Sequence, residues 1–122
     1  MHTRISSGSP WESSVGYSRA VMAGDTIYIS GTAGEGPDVY RQTLSALATV
    51  ATVLAESGFE LSEVVQSRLV VADFENWQDA ARAHGEVYGE VKPAFSLVHA
   101  LPFVDAETLV EVECIAVRHR AV

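Results

Sequence analysis

Alternation of apolar and polar positions is clearest near the carboxyl end, where "TLVEVECIAV" (108–117) reads as an extended strand. Val110, Val112, Cys114 and Ala116 share one side of it, a bed for helices, and Glu111 and Glu113 share the other. "KPAFSLVHA" (92–100) also reads as a strand, entered through Pro93, with Phe95, Leu97 and His99 on a common face. In "YSRAVMAGDTIYIS" (17–30), two β-prone runs flank Ala-Gly-Asp, the punctuation of a tight hairpin. They predict strands near 17–22 and 26–30. A β-branched run, "EVVQSRLVVAD" (63–73), predicts another strand.

The remaining segments follow the helical period. From Pro37 onward, Leu44, Leu47, Val50, Ala51 and Leu54 predict a helix over roughly 38–57, stopped at Gly58. After Asp73, read as an N-cap, the apolar residues Phe74, Trp77, Ala81, Val87 and Tyr88 predict a second helix ending near Gly89. The order ββαβαββ predicts an α+β fold, a sheet carrying both helices on one face. Parity also groups Tyr17 with Arg19 and Tyr28 with Ser30. If these sets and Phe95, Leu97 and His99 join the glutamates, the uncovered face is half apolar. Such a face suits contact with another subunit better than water, and predicts an oligomer with mixed clefts between chains.

Composition narrows the class. A chain of 122 residues without a low-complexity linker is one domain, spanning 1–122. A hydrophobic fraction of 48% with 20% charged residues places it among folded globular chains. Sixteen acidic against eight basic residues give a net charge of −8, and no basic stripe interleaved with aromatics is present, which argues against a nucleic-acid partner. No run approaches the ~20 apolar residues of a membrane span, and "MHTRISSGSP" lacks the apolar centre of a signal peptide, so a cytoplasmic location and no membrane contact are expected. Cys114 is the single cysteine, and no histidine pair has metal-ligand spacing, so no metal site is expected. "GTAGEGP" (31–37) matches no phosphate-binding pattern and reads as a mobile loop.

Four segments, "VGYSRAV" (15–21), "IYISGTAG" (27–34), "KPAFSLV" (92–98) and "LVEVECIAV" (109–117), in this order around two helices, resemble the reactive intermediate deaminase (YjgF) family. The resemblance implies a homotrimer of chorismate-mutase-like subunits with clefts at the interfaces. It also implies cofactor-independent hydrolysis of 2-imino or 2-enamino acids to keto acids and ammonia. Carried over position by position, it assigns substrate binding to Tyr17, Ser30 and Gly31, and the attacking water to Glu111. The position of the family's carboxylate-gripping arginine holds Phe95, which cannot form a bidentate pair with a carboxylate. Either Arg19 supplies the cation, or Phe95 and Leu97 form an apolar wall for a larger or uncharged substrate; the second reading is preferred. His99 is a candidate proton donor at the cleft mouth.

Each residue also has a bland reading. Glu111 and Glu113 serve equally as interfacial ion-pair groups, Tyr17 as a packed interface residue and Arg19 as the partner of an acid. His84 reads as a packed residue at the buried edge of the second helix, and Cys114 as a small apolar group. Two functions follow: an imine or enamine hydrolase with an atypical substrate, or a non-catalytic trimeric protein that binds a small molecule or regulates. A ribonuclease fits poorly with the acidic balance.

Overall fold

The computed structural model describes residues 2–119. Six strands, β1 (Thr3–Ile5), β2 (Ala20–Ala23), β3 (Thr26–Ala33), β4 (Val64–Val71), β5 (Ala94–His99) and β6 (Val110–Val117), form one sheet in the order β1-β2-β3-β6-β4-β5. Two α-helices, α1 (Val39–Glu56) and α2 (Trp77–Tyr88), lie together on one face of it. All pairings are antiparallel except β4 with β5, which α2 connects as a crossover. The fold is the α+β arrangement the pattern predicts, with one strand added. β1 pairs with β2, and its three residues are too few to show alternation.

Local chemistry sets the boundaries. The β2–β3 hairpin turns at Gly24, whose φ of 60° is left-handed. Asp38 caps α1 by accepting the Arg41 N–H at 2.8 Å. The helix stops at Gly58 (φ 80°), after which Phe59 N–H returns to the Leu54 carbonyl at 2.8 Å and buries its ring. Asp38→Ala removes the cap acceptor and is expected to cost about 1 kcal/mol, read as a lower Tm with an unchanged folded spectrum. Its exposed ion pair with the Arg41 side chain adds little to that.

The core lies between the helices and the inner sheet face. On α1, Val39, Thr43, Ala46, Leu47, Val50, Val53 and Leu54 form a continuous buried stripe. It packs on Ile27, Ile29, Val110, Val112 and Ala116 of the central strands. Every inward residue of β6 is buried, as its alternation predicts. Gln42 is also buried on α1, a polar residue within an apolar stripe.

Candidate active site

The face without helices is best described by its cross-strand rows. Tyr28 of β3 stands beside Ile115 of β6, then Gln66 of β4. In the next row Glu113 stands beside Arg68, with Ser96 of β5 beyond. The last row is Ala33, Glu111, Val70 and Val98. Tyr28, Ser30, Glu111 and Glu113 thus share the open face, as parity predicts.

A bulge in β3 shapes the site. Ile29 pairs with Cys114 and Thr32 with Val112, so Ser30 and Gly31 both face Glu113. The extra residue reverses the parity of β3, burying Thr32 and turning Ala33 outward. It also leaves Gly31 beneath the Glu111 side chain, where a β-carbon would collide with Glu111 Oε1 and lie 3.5 Å from its Cδ. Only glycine leaves room for that carboxyl.

Glu111 is half-buried, and burial pushes its carboxyl above the ordinary carboxylate range, with the Glu113 charge adding to the rise. Glu113 faces Arg68 loosely, with Nε to Oε1 at 3.9 Å. Arg68, Glu113, Tyr28, Ser30 and Gln66 line a hollow of about 270 Å³ on this face.

The remaining candidates fall elsewhere. Tyr17 and Arg19 lie outside β2, which begins at Ala20, so they do not share a strand face. Tyr17 closes a π-turn, Glu12–Gly16, by donating its N–H to the Glu12 carbonyl at 3.1 Å. The Glu12 carboxylate gathers Ser6 and Ser7 through both hydroxyls and the Ser7 N–H, which holds it below the usual range. Arg19 donates to buried Thr32 Oγ1 at 2.9 Å and lies near enough to Glu12 to lower that acid further. It does not sit beside Glu111. Ser30 donates its hydroxyl to the Ser18 carbonyl at 2.6 Å, which leaves its oxygen as an acceptor only.

The structure corrects the face assumed for β5. The parallel register sets Phe95 beside Ser67, Leu97 beside Leu69 and His99 beside Val71, all inward residues of β4. Phe95, Leu97 and His99 therefore stand on the helix side of the edge strand, away from Glu111 of the same chain. The Phe95 ring packs on His84 of α2, centroids 4.4 Å apart, and remains 44% exposed. His99 stacks on Phe74 at 4.4 Å. His84 is buried, as its position on α2 predicts; its Nε2 pairs with Ser67 Oγ at 2.9 Å, and burial lowers its pKa. Beside it the Cys114 thiol is pushed up to about 12 by burial, which keeps it a protonated, unreactive neighbour of Tyr88.

Two further departures concern loops. Asp73 receives the Asn76 side chain at 2.9 Å and caps no backbone N–H. Of the segment 31–37, read as a mobile loop, 31–33 belong to β3 because the bulge carries the strand on to Ala33, and the rest is tied to α1: Glu35 N–H donates to Ser45 Oγ at 3.0 Å, and Gln42 Nε2 to the Gly36 carbonyl at 3.1 Å. Gln42 is the residue that sequence reasoning missed, although a glutamine between Val39 and Ala46 on an apolar stripe is a readable signal.

A sheet with one helical layer, an uncovered mixed face and a carboxyl seated on a glycine bulge defines a small α+β domain with a candidate site on the open side of the sheet. The Endoribonuclease L-PSP family model matches residues 8–118, and the chain belongs to this family. The crystal structure of a Mycobacterium tuberculosis member of the YjgF/YER057c/UK114 family superposes with a TM-score of 0.91 at 36% identity, covering 97% of this chain and 100% of that one. An uncharacterized protein of Streptomyces coelicolor is 38% identical over 94% of this chain and 91% of its own length. A goat protein named 2-iminobutanoate/2-iminopropanoate deaminase is 30% identical over 84% of this chain and 80% of its own. Among the described residues, no helix is long and apolar enough to cross a membrane, and no three His, Cys, Asp or Glu side chains are grouped to hold a metal ion.

Proposed function

We propose that this protein hydrolyses a reactive imine or enamine, without a cofactor, at a cleft completed by neighbouring copies in a homotrimer. The observation that carries the reading is Glu111, a half-buried carboxyl whose affinity for a proton is raised and whose place depends on Gly31. A deaminase name within the family supports the reaction class. The exposed edge strand β5, with Phe95 and Val98 open, and the exposed Trp11, Val15 and Tyr17 of the amino-terminal strap are apolar surfaces that a neighbouring copy would cover.

The reaction needs one proton carrier. Glu111 takes a proton from water as the oxygen bonds to the imine carbon and returns it to the nitrogen, then relays the remaining hydroxyl proton to the nitrogen as the C–N bond breaks. Ammonia and a carbonyl compound leave. Ser30, acceptor only, suits the N–H of the substrate, and the exposed Tyr17 is assigned to the completed cleft by the family resemblance alone. The replacement of the family's arginine by Phe95 makes the substrate atypical. It also favours a second reading, a trimeric binding or regulatory protein that has lost turnover.

The test generates imines in situ with an oxidase and follows the keto or aldehyde product together with ammonia, with and without the protein. Faster release supports the hydrolase; tight ligand binding without turnover of any imine supports the second reading. Gly31→Ala separates site from fold. The added methyl meets only the flexible end of Glu111, so the expected change in Tm is small. Turnover is expected to fall by about 10²-fold because the carboxyl is displaced by about an ångström.

A further inference from the structure

The charges around Glu111 bear on what the site accepts, and the argument here rests on the proposed hydrolysis. Within the chain, the charged group that acts on Glu111 is Glu113, another acid. Arg68 stands one row away and faces Glu113. Arg19 is held by buried Thr32, to whose hydroxyl it donates at 2.9 Å. Lys92 precedes β5 at its far end: Val98 shares the Glu111 row, and the strand from Lys92 to Val98 spans about 20 Å. Among the described residues, the carboxyl pair therefore has one loosely held guanidinium in reach and no cation aimed at Glu111. The wall that a neighbouring β5 would bring is apolar: Phe95 packs on His84 of its own chain and leaves 44% of its surface open to a neighbour.

We propose that the substrates are imines without a carboxylate, which react as iminium cations and carry an apolar or aromatic substituent. A protonated imine places its positive charge beside Glu111 and Glu113, whereas a 2-imino acid brings a third negative charge to them, and the one guanidinium in reach, Arg68, is already turned to Glu113. The step balances without a redox partner. Water adds to the iminium carbon, Glu111 relays first one and then the other of its protons to nitrogen, the second from the carbinol hydroxyl as the C–N bond breaks, and an aldehyde or ketone leaves with ammonium. Such imines arise from two-electron oxidation of primary amines, so a reaction of that class is the source that fits this site.

The test uses two imines that differ only in the carboxylate. One flavin oxidase converts phenylalanine to 2-imino-3-phenylpropanoate, and another converts 2-phenylethylamine to its imine. Semicarbazide traps whatever imine survives, and catalase removes peroxide. The full chain is expected to speed hydrolysis of the carboxylate-free imine at least about tenfold more than that of the imino acid. Raising the ionic strength should narrow the ratio, because screening weakens the repulsion. An equal or greater effect on the imino acid, or a ratio indifferent to salt, overturns this inference and leaves the hydrolase standing. No acceleration of either imine overturns the hydrolase and the inference with it.

Discussion

Glu111→Gln is expected to lower imine hydrolysis by about 10²–10⁴-fold while raising Tm at neutral pH. The glutamine keeps the size of the side chain over Gly31 but cannot carry a proton from water to nitrogen. The gain in stability follows from the direction of the pKa shift. The folded carboxyl holds its proton more tightly than the unfolded one, for which the ordinary value is 4.5. Between the unfolded value and the raised folded one, the native state binds more protons, so stability falls as pH rises through that window. Above it the cost of the buried charge is present in full, and glutamine removes it. Thermal melts of both proteins across pH should show the variant's advantage at pH 7–8 and its loss below about 4.5. Glu113→Gln is the control. It leaves the proton carrier in place but removes the like charge, so turnover should survive and the acid limb of the rate profile should move to lower pH. If Glu111→Gln retained full turnover, the assignment of the proton carrier would be wrong.

Sequence alternation shows which residues of a strand stand together, and that sufficed for β6, where four apolar positions can only face the helices. It does not show which way each set points. For β5 the pattern of Phe95, Leu97 and His99 is equally apolar on both sides of the choice. The answer lies in the parallel register with β4 and in His84 and Phe74, which meet Phe95 and His99 from the helix side. Nor does alternation survive the bulge at Ser30 and Gly31, where one extra residue buries Thr32 and seats the catalytic candidate. The substitution at Phe95 also has a local physical account. Its ring completes a small cluster with His84 and Tyr88 under the edge of α2. The residue therefore serves packing within its own chain, whatever a neighbouring copy presents to its exposed side.

The second large effect is expected from Gln42, which binds the strand bearing Gly31 to the strand bearing Glu111. Its side chain accepts the Leu109 N–H at 2.8 Å and donates to the Glu107 carbonyl at 3.0 Å and the Gly36 carbonyl at 3.1 Å. It thus spans the loop that leaves β3 and the loop that enters β6. Gln42→Ala leaves the half-buried Leu109 N–H without its partner and opens a gap in the α1 stripe, whereas the Gly36 and Glu107 carbonyls belong to exposed loop residues, where water can replace the lost donor. The cost is expected to be about 2–3 kcal/mol, a drop in Tm of roughly 6–12 °C. Gln42→Glu distinguishes lost volume from lost bonds. It still accepts from Leu109 but can no longer donate to the two carbonyls, so it should fall between the wild type and the alanine variant at neutral pH. Hydrogen exchange should quicken first at 34–37 and 105–109 in both variants, because those loops lose their common tether while the β3–β6 ladder persists. Turnover should drop more than the folded fraction does, since the Ala33–Glu111 pair lies at the end of the ladder that Gln42 closes. Unchanged exchange in both loops, with Tm lowered all the same, would assign Gln42 to general packing and remove its link to the site.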